Sequence, residues 1–337
     1  SPRRSRRSVP QTLPHNADFA FSLYKKLSTH PEAKGKNIFF SPLSISMALS
    51  MLALGAKGNT HSQIFSTLGY STLTPDQVNE GYEHLFHMLG HSQEAMQLEA
   101  GSALAVHEGF KPVDKFLKDA QHFYEGEAFT VDYSKPEVAV QEINKYIAKK
   151  TKDMITDMVK TLDPQTVMML INYIYFRGTV AILQYPVRKI FLIFSNASMM
   201  IVLPDKGKME ELEKQISRDH FKNWEEKLFV TLFKISAFIS LQETLQEMGM
   251  VEAFSGAADF SGLSEDNKLM LSKVLHQAVL KVNEEGTEAD AALIVELRLL
   301  SGWLSEIMVL NRPFLVFILD SSTRSILFMG KVNNPTE

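Results

Sequence analysis

Apolar residues recur every three or four positions through the first third of the chain, which predicts helices there. Phe19, Leu23 and Leu27 stand four apart, the spacing that stacks side chains on one helical face. Ser41-Pro42 opens the stretch LSISMALSMLALG, with Gly55 placed to end it. A further start is marked at Thr74, which can cap. Pro75 suits the first helical position and Gln77 can complete a capping box.

From about Gln97 strands alternate with helices. QLEAGSALAVHE and FTVDY read as strands, VDKFLKDAQHFY as a helix, and Ile143, Tyr146 and Ile147 mark another helix. TVMMLINYIYF, Thr166 to Phe176, is nearly all apolar and rich in β-formers, the pattern of a strand buried on both faces. Its one strongly polar side chain, Asn172, requires a polar partner, because a buried amide is costly unless its hydrogen bonds are met. MMIVLP and FVTLFKISAFIS read as strands on either side of an amphipathic helix from about Met209 to Leu228, and LQETLQEMGM looks helical. KLMLSKVLHQAVLKVN reads as a strand, and RPFLVFILDSSTRSILFMGKV as a hairpin turning at Ser321 to Thr323. No Pro- or Gly-rich linker and no long repeat divides the chain, so the pattern is one α+β domain with segregated helices and sheets.

One stretch resists assignment. EEGTEADAALIVELRLLSGW, Glu284 to Trp303, contains no proline. As a strand it has one face without charge, carrying Thr287, Ala289, Ala291, Leu293, Val295 and Leu297, while Glu288, Asp290, Ala292 and Arg298 fall on the other. As a helix it aligns Leu293, Leu297 and Leu300. Periodicity leaves both open.

Composition narrows the function. Of 337 residues, 45% are hydrophobic and 22% charged, enough for a sizeable core. The net charge of −4 provides no global field for nucleic acid or anionic lipid. The basic run SPRRSRRS at the start reads as a solvated tail, extending over residues 1–15. With 0 cysteines, disulfides, thiolate metal sites and cysteine catalysis are excluded. No apolar run reaches the ~18 residues that span a bilayer, and no signal peptide precedes Ser1. GxSxG, phosphate-cradling GxxxxGK[ST], GxGxxG and HExxH are absent; His107-Glu108 begins the last of these without its second histidine. His87 and His91 could face one way, but surface positions explain them and no metal site is expected. Nothing specific supports an enzyme.

Several motifs together resemble the serpins. GTEADAA at Gly286 to Ala292 is similar to the hinge of a serpin reactive-centre loop. NIFFSPLSISMALSMLALGAKGNT (Asn37 to Thr60), INYIYFRG (Ile171 to Gly178), NRPFLVFI and LFMGKV are similar to the family's signatures, in family order from about Asn16 onward. NASMMIVLPDKGKM brings the chain nearest to the secreted antitrypsin-like members. The resemblance implies helices packed around three β-sheets, a serpin domain over 16–337, and an exposed loop over about 284–306. It implies a suicide inhibitor of serine proteases that needs no cofactor and does not turn over, acting as a secreted monomer. In the hinge, Glu284, Gly286, Thr287, Glu288, Ala289, Ala291 and Ala292 match the family pattern; Gly286 gives backbone freedom, and the small residues can enter a packed sheet without overpacking.

The usual loop length from Gly286 puts the bait bond at Leu300-Ser301, pointing to a chymotrypsin-like or elastase-like target. Arg298 marks the alternative register with a basic bait. Ser41, Ser44, Asn172 and His276 match the polar cluster beneath the sheet-opening strands, and Asn196-Ala197-Ser198 matches a glycosylation sequon. The Thr74 helix is acidic and lacks the basic face of heparin-activated relatives. Two departures stand out. Between Thr179 and Asn196 only VAILQYPVRKIFLIFS fills a place where the family has several strands, beginning with a tryptophan where Val180 stands. Leu232 stands where many relatives have lysine. Two other readings stay open: a non-inhibitory carrier of a small hydrophobic ligand, and an inactive shortened serpin.

Overall fold

A computed structural model describes residues 13–89, 96–180, 189–193, 197–217, 233–265, 269–284, 312–320, 323 and 325–333. Helix α1 (Leu13–Thr29) buries Phe19, Leu23 and Leu27 as their spacing predicts. It starts inside the stretch 1–15 expected as a tail, because Asn16 accepts a hydrogen bond from Ser46 Oγ at 2.9 Å and His15 meets the Tyr70 ring edge-on. Helix α2 (Pro42–Ala53) is buried along its whole length. Ser41 caps it, accepting from the Ser44 amide at 3.1 Å. The helix ends as expected just ahead of Gly55, with Leu54 at its C-cap and the Gly55 amide donating to the Leu52 carbonyl at 3.1 Å. A Cβ at Gly55 would stand 2.7 Å from Cβ of Leu263, so the glycine also permits a close approach of two chain segments.

Helix α3 (Gly58–Thr67) precedes α4 (Pro75–Leu89), where the expected capping box forms. The Thr74 amide donates to Gln77 Oε1 at 2.9 Å and the Gln77 amide donates to Thr74 Oγ1 at 3.2 Å, an arrangement that contributes about 1 kcal/mol. Helices α5 (Asp114–Tyr124) and α6 (Pro136–Lys150) fall where periodicity puts them. Helix α7 begins at Met209 but ends at Gln215, short of the expected Leu228. Ile216 turns to ψ 126° and is fully buried, so the chain dives into the core there; residues 218–228 lie outside the described residues.

The described strands make two five-stranded sheets. In the first, β1 (Ile38–Phe40), β10 (Ile326–Val332), β9 (Phe314–Asp320), β6 (Ala197–Val202) and β5 (Lys189–Ile193) lie side by side, antiparallel throughout. The expected hairpin joins β9 to β10, and Asp320 Oδ2 accepts from the Thr323 amide at 2.6 Å and its hydroxyl at 2.7 Å. The second sheet has the order β3 (Glu127–Val131), β2 (Met96–His107), β4 (Met168–Val180), β8 (Lys273–Glu284), β7 (Phe233–Ser240). The third sheet that the resemblance implies has no strand among the described residues, in keeping with the short stretch after Thr179.

Strand β4 is buried on both faces, as its composition predicts. Met168, Leu170, Ile174 and Phe176 join the main core with α2 and the first sheet. Met169, Ile171, Tyr173 and Tyr175 join a second core beneath α6.

Candidate functional site

The site lies at the seam between β4 and β8, which run parallel in unbroken register from Met169 opposite Lys273 to Val180 opposite Glu284. Asn172 and His276 are register partners, so their side chains emerge on the same face, toward the buried start of α2. Asn172 has the partners its burial demands. Its Nδ2 donates to Ser44 Oγ at 2.7 Å, with Ser102 Oγ at 3.0 Å and the Gly101 carbonyl at 3.1 Å also in range. Its Oδ1 accepts from Ser44 Oγ at 3.0 Å and from His276 Nδ1 at 2.6 Å.

His276 Nε2 lies 3.0 Å from the Ser41 amide nitrogen. A backbone amide can only donate, so Nε2 accepts and the proton sits on Nδ1, donated to Asn172. Both ring nitrogens are satisfied only in the neutral ring. Complete burial pushes the imidazole down to about 3, and a proton on Nε2 would face the Ser41 N–H.

Ser41, Ser44, Asn172 and His276 are therefore brought together, all buried. Sequence reasoning missed Ser102. Its signal was positional: in QLEAGSALAVHE it alternates with Leu104 and Val106, so a polar residue occupies an inward position. Gly101 faces the other way, and a Cβ on it would lie 2.2 Å from the Tyr173 hydroxyl, so only glycine leaves room for that ring.

Among the described residues one side-chain bond of the cluster crosses the seam directly, that from His276 to Asn172. The remaining bonds of Asn172 tie β4 to α2 and β2, while His276 ties β8 to the cap of α2. Ser41 and Ser44 begin the same helix, so α2 bridges the two strands as well, and separating them would break the His276–Asn172 bond together with one of the bonds to α2.

The outer face of the seam is covered by α6 and the segment after it. Ile143, Ile147, Ile155, Met158, Val159 and Leu162 pack with Ile171, Tyr175, Leu275 and Val279. Asn144 clamps that return segment from both sides, donating to the Val159 carbonyl at 2.7 Å and accepting from its amide at 2.9 Å. Among the described residues the cover's ion pairs reach β3 and β2: Lys150 to Glu127 on β3 and Lys152 to Glu99 on β2. Partial burial pushes the Glu127 carboxyl up, but hydrogen bonds from Lys150 and Tyr146 outweigh it and hold the group below the ordinary range. Over β4 and β8 the contact is mainly apolar, with the Tyr146 hydroxyl of α6 hydrogen-bonded to the Tyr173 hydroxyl of β4.

Glu284 closes β8 opposite Val180, so the strand delivers the chain to the end of the seam. The other expected hinge residues, Gly286, Thr287, Glu288, Ala289, Ala291 and Ala292, lie outside the described residues, as do Arg298, Leu300, Ser301, Asn196, Leu232 and His91. No cluster of three or more metal-ligating side chains exists among the described residues.

A family model described as Serpin (serine protease inhibitor) matches residues 14–186 and 182–335. The chain is a serpin. It is 50% identical over 343 residues to an alpha-1-antitrypsin homolog of Cyprinus carpio, covering 89% of this chain and 92% of that one. It is 38% identical over 371 residues to thyroxine-binding globulin of Homo sapiens, covering 96% and 89%. The crystal structure of human thyroxine-binding globulin superposes with a TM-score of 0.86 at 37% identity, covering 98% of this chain and 100% of that one. Two details bear on the short stretch after Thr179. The two family matches meet at 182–186, inside it. The alignment to thyroxine-binding globulin spans 371 positions, more than the 337 residues of this serpin, so that relative has chain where this one has none.

Proposed function

We propose that this serpin inhibits a serine protease as a suicide substrate, offering Leu300-Ser301 as bait. The observation that carries the reading is the course of β8, which runs parallel against β4 to Glu284 and leads directly into the bait-bearing segment. A segment that turns back from Glu284 runs antiparallel to both strands. Its insertion replaces one parallel contact with two antiparallel ones, which are the more stable per residue. Gly286 allows the turn, and Thr287, Ala289 and Ala291 are small enough to enter a packed sheet. About ten new ladder bonds at about 1 kcal/mol each give a driving force on the order of ten kcal/mol.

The protease's serine oxygen attacks the Leu300 carbonyl carbon, the Leu300–Ser301 bond breaks, and Ser301 leaves as a free amine. The acyl-enzyme is held on residue 300 while the severed arm enters the seam, the His276–Asn172 bond opens, and the protease is dragged out of its working geometry before water can release it. Leu300 suits a chymotrypsin-like or elastase-like pocket; the register that would present Arg298 suits a trypsin-like one. On the same reading the protein acts as a secreted monomer with its glycan at Asn196 and no cofactor, heparin, nucleic acid or membrane partner.

Incubation with chymotrypsin and with elastase, followed by a denaturing gel, tests this. A covalent band joining residues 1–300 to the protease is expected. Cleavage near Leu300 without that band overturns the inhibitory reading. The likeness to thyroxine-binding globulin supports a second reading, carriage of a small hydrophobic ligand, for which thyroxine binding by the uncleaved protein is the measurement.

A further inference from the structure

One rung of the seam differs from all the others. Arg177 on β4 is the register partner of Lys281 on β8, and no other β4–β8 rung holds two charged residues. The next position across the sheet is Lys234 on β7, the partner of Lys281. Arg177 and Lys281 alternate with Tyr175 and Val279, so they share the outer face, past the edge of the α6 cover. Arg177 is exposed and Lys281 half-buried. Among the described residues neither forms an ion pair. The carboxylate diagonal to Arg177, Glu99, is engaged by Lys152.

Like charges facing each other on neighbouring strands, about 4.8 Å apart, destabilise a sheet unless a counterion sits between them. We infer that this rung is a binding site for a tetrahedral oxyanion, a sulfate or phosphate group, bridging Arg177 and Lys281 across the seam. The guanidinium offers a planar fork and the ammonium a point charge, which together grip two oxygens of one anion from opposite strands.

A strand inserted between β4 and β8 would move the two cations to twice the strand spacing, about 10 Å, too far for one such group to bridge. The anion therefore favours the closed seam and, by reciprocity, holds it closed. This consequence rests on the proposed insertion; the binding does not.

Thermal unfolding of the intact protein in sodium sulfate, against sodium chloride at matched ionic strength, reads the site. A saturable rise of about 2 °C or more specific to sulfate is expected, reduced or lost in Lys281→Thr and Arg177→Gln and retained in Arg177→Lys. Inorganic phosphate and a sulfated disaccharide, run beside it, distinguish a free anion from a saccharide-borne group by which saturates at lower concentration. Equal rises in sulfate and chloride, or a sulfate rise that survives both charge-removing variants, overturn the site. For the consequence, sulfate should slow covalent trapping of the protease in the unmodified protein and not in Lys281→Thr. Sulfate binding with no covalent complex at any salt leaves the site standing and fells the insertion reading. Trapping that sulfate slows equally in both proteins overturns the coupling.

Discussion

The two sheets are built on opposite principles at their centres. In the first, β9 and β10 pair antiparallel with dry interiors: Phe317, Leu327, Phe328 and Met329 are fully buried, and Phe39 stacks on Phe328 at 5.3 Å. Gly330 lies so close under β1 that an added Cβ would come within 2.3 Å of the Ile38 carbonyl oxygen. In the second, the central pair is parallel, and its buried face is interrupted by an amide and an imidazole joined to each other across the seam. Apolar packing is non-directional and is lost in proportion to any separation, whereas a single aligned hydrogen bond holds register and can be exchanged for another. On the proposed function, the difference makes the first sheet the frame and the second the joint.

Damage to the frame should be largest. Phe328→Ala removes a fully buried ring from the frame and is expected to lower global stability by about 3–5 kcal/mol in urea unfolding, with no faster opening of the seam. Asn172→Ala at the joint leaves the Nδ1 proton of His276 and the Ser44 and Ser102 hydroxyls without their amide partner, an expected loss of about 2–3 kcal/mol. Hydrogen exchange should show that loss concentrated in β4 and β8, which separates joint from frame.

Acid should sharpen the contrast. His276 has a folded value of about 3, below the ordinary 6.5, so the unfolded state takes up its proton first as pH falls. Stability from this group is full above about pH 6.5 and declines continuously toward pH 3. Between pH 6.5 and pH 5 the expected loss is about 2 kcal/mol, seen as a falling melting temperature whose slope flattens in His276→Gln. The smallest effect belongs to the cover. Asn144→Ala breaks both bonds to Val159 and should cost about 1–2 kcal/mol, with the Val159 amide losing exchange protection ahead of β4.

Much of this was legible in the chain. The Thr74 cap, the doubly buried β4 and the need of Asn172 for a partner follow from local chemistry, because each is decided within a few residues or by an uncompensated polar group. The early end of α7 was not legible, because Ile216 leaves the helix to fill the core, a tertiary demand that overrides helical periodicity. Alternation within β2 marked Ser102 as inward-facing, but its partner Asn172, and the ring that Gly101 makes room for, belong to β4 and are not visible from β2 alone. The charge row escaped for the same reason: Arg177 and Lys281 are far apart in sequence and meet only through register.

Melting of the nicked protein tests the central claim most directly, that the seam accepts the severed arm. Material cleaved once near Leu300 should unfold about 20 °C or more above intact material, the shift expected from a gain on the order of ten kcal/mol. Nicked protein that unfolds at or below the temperature of the intact form would contradict it.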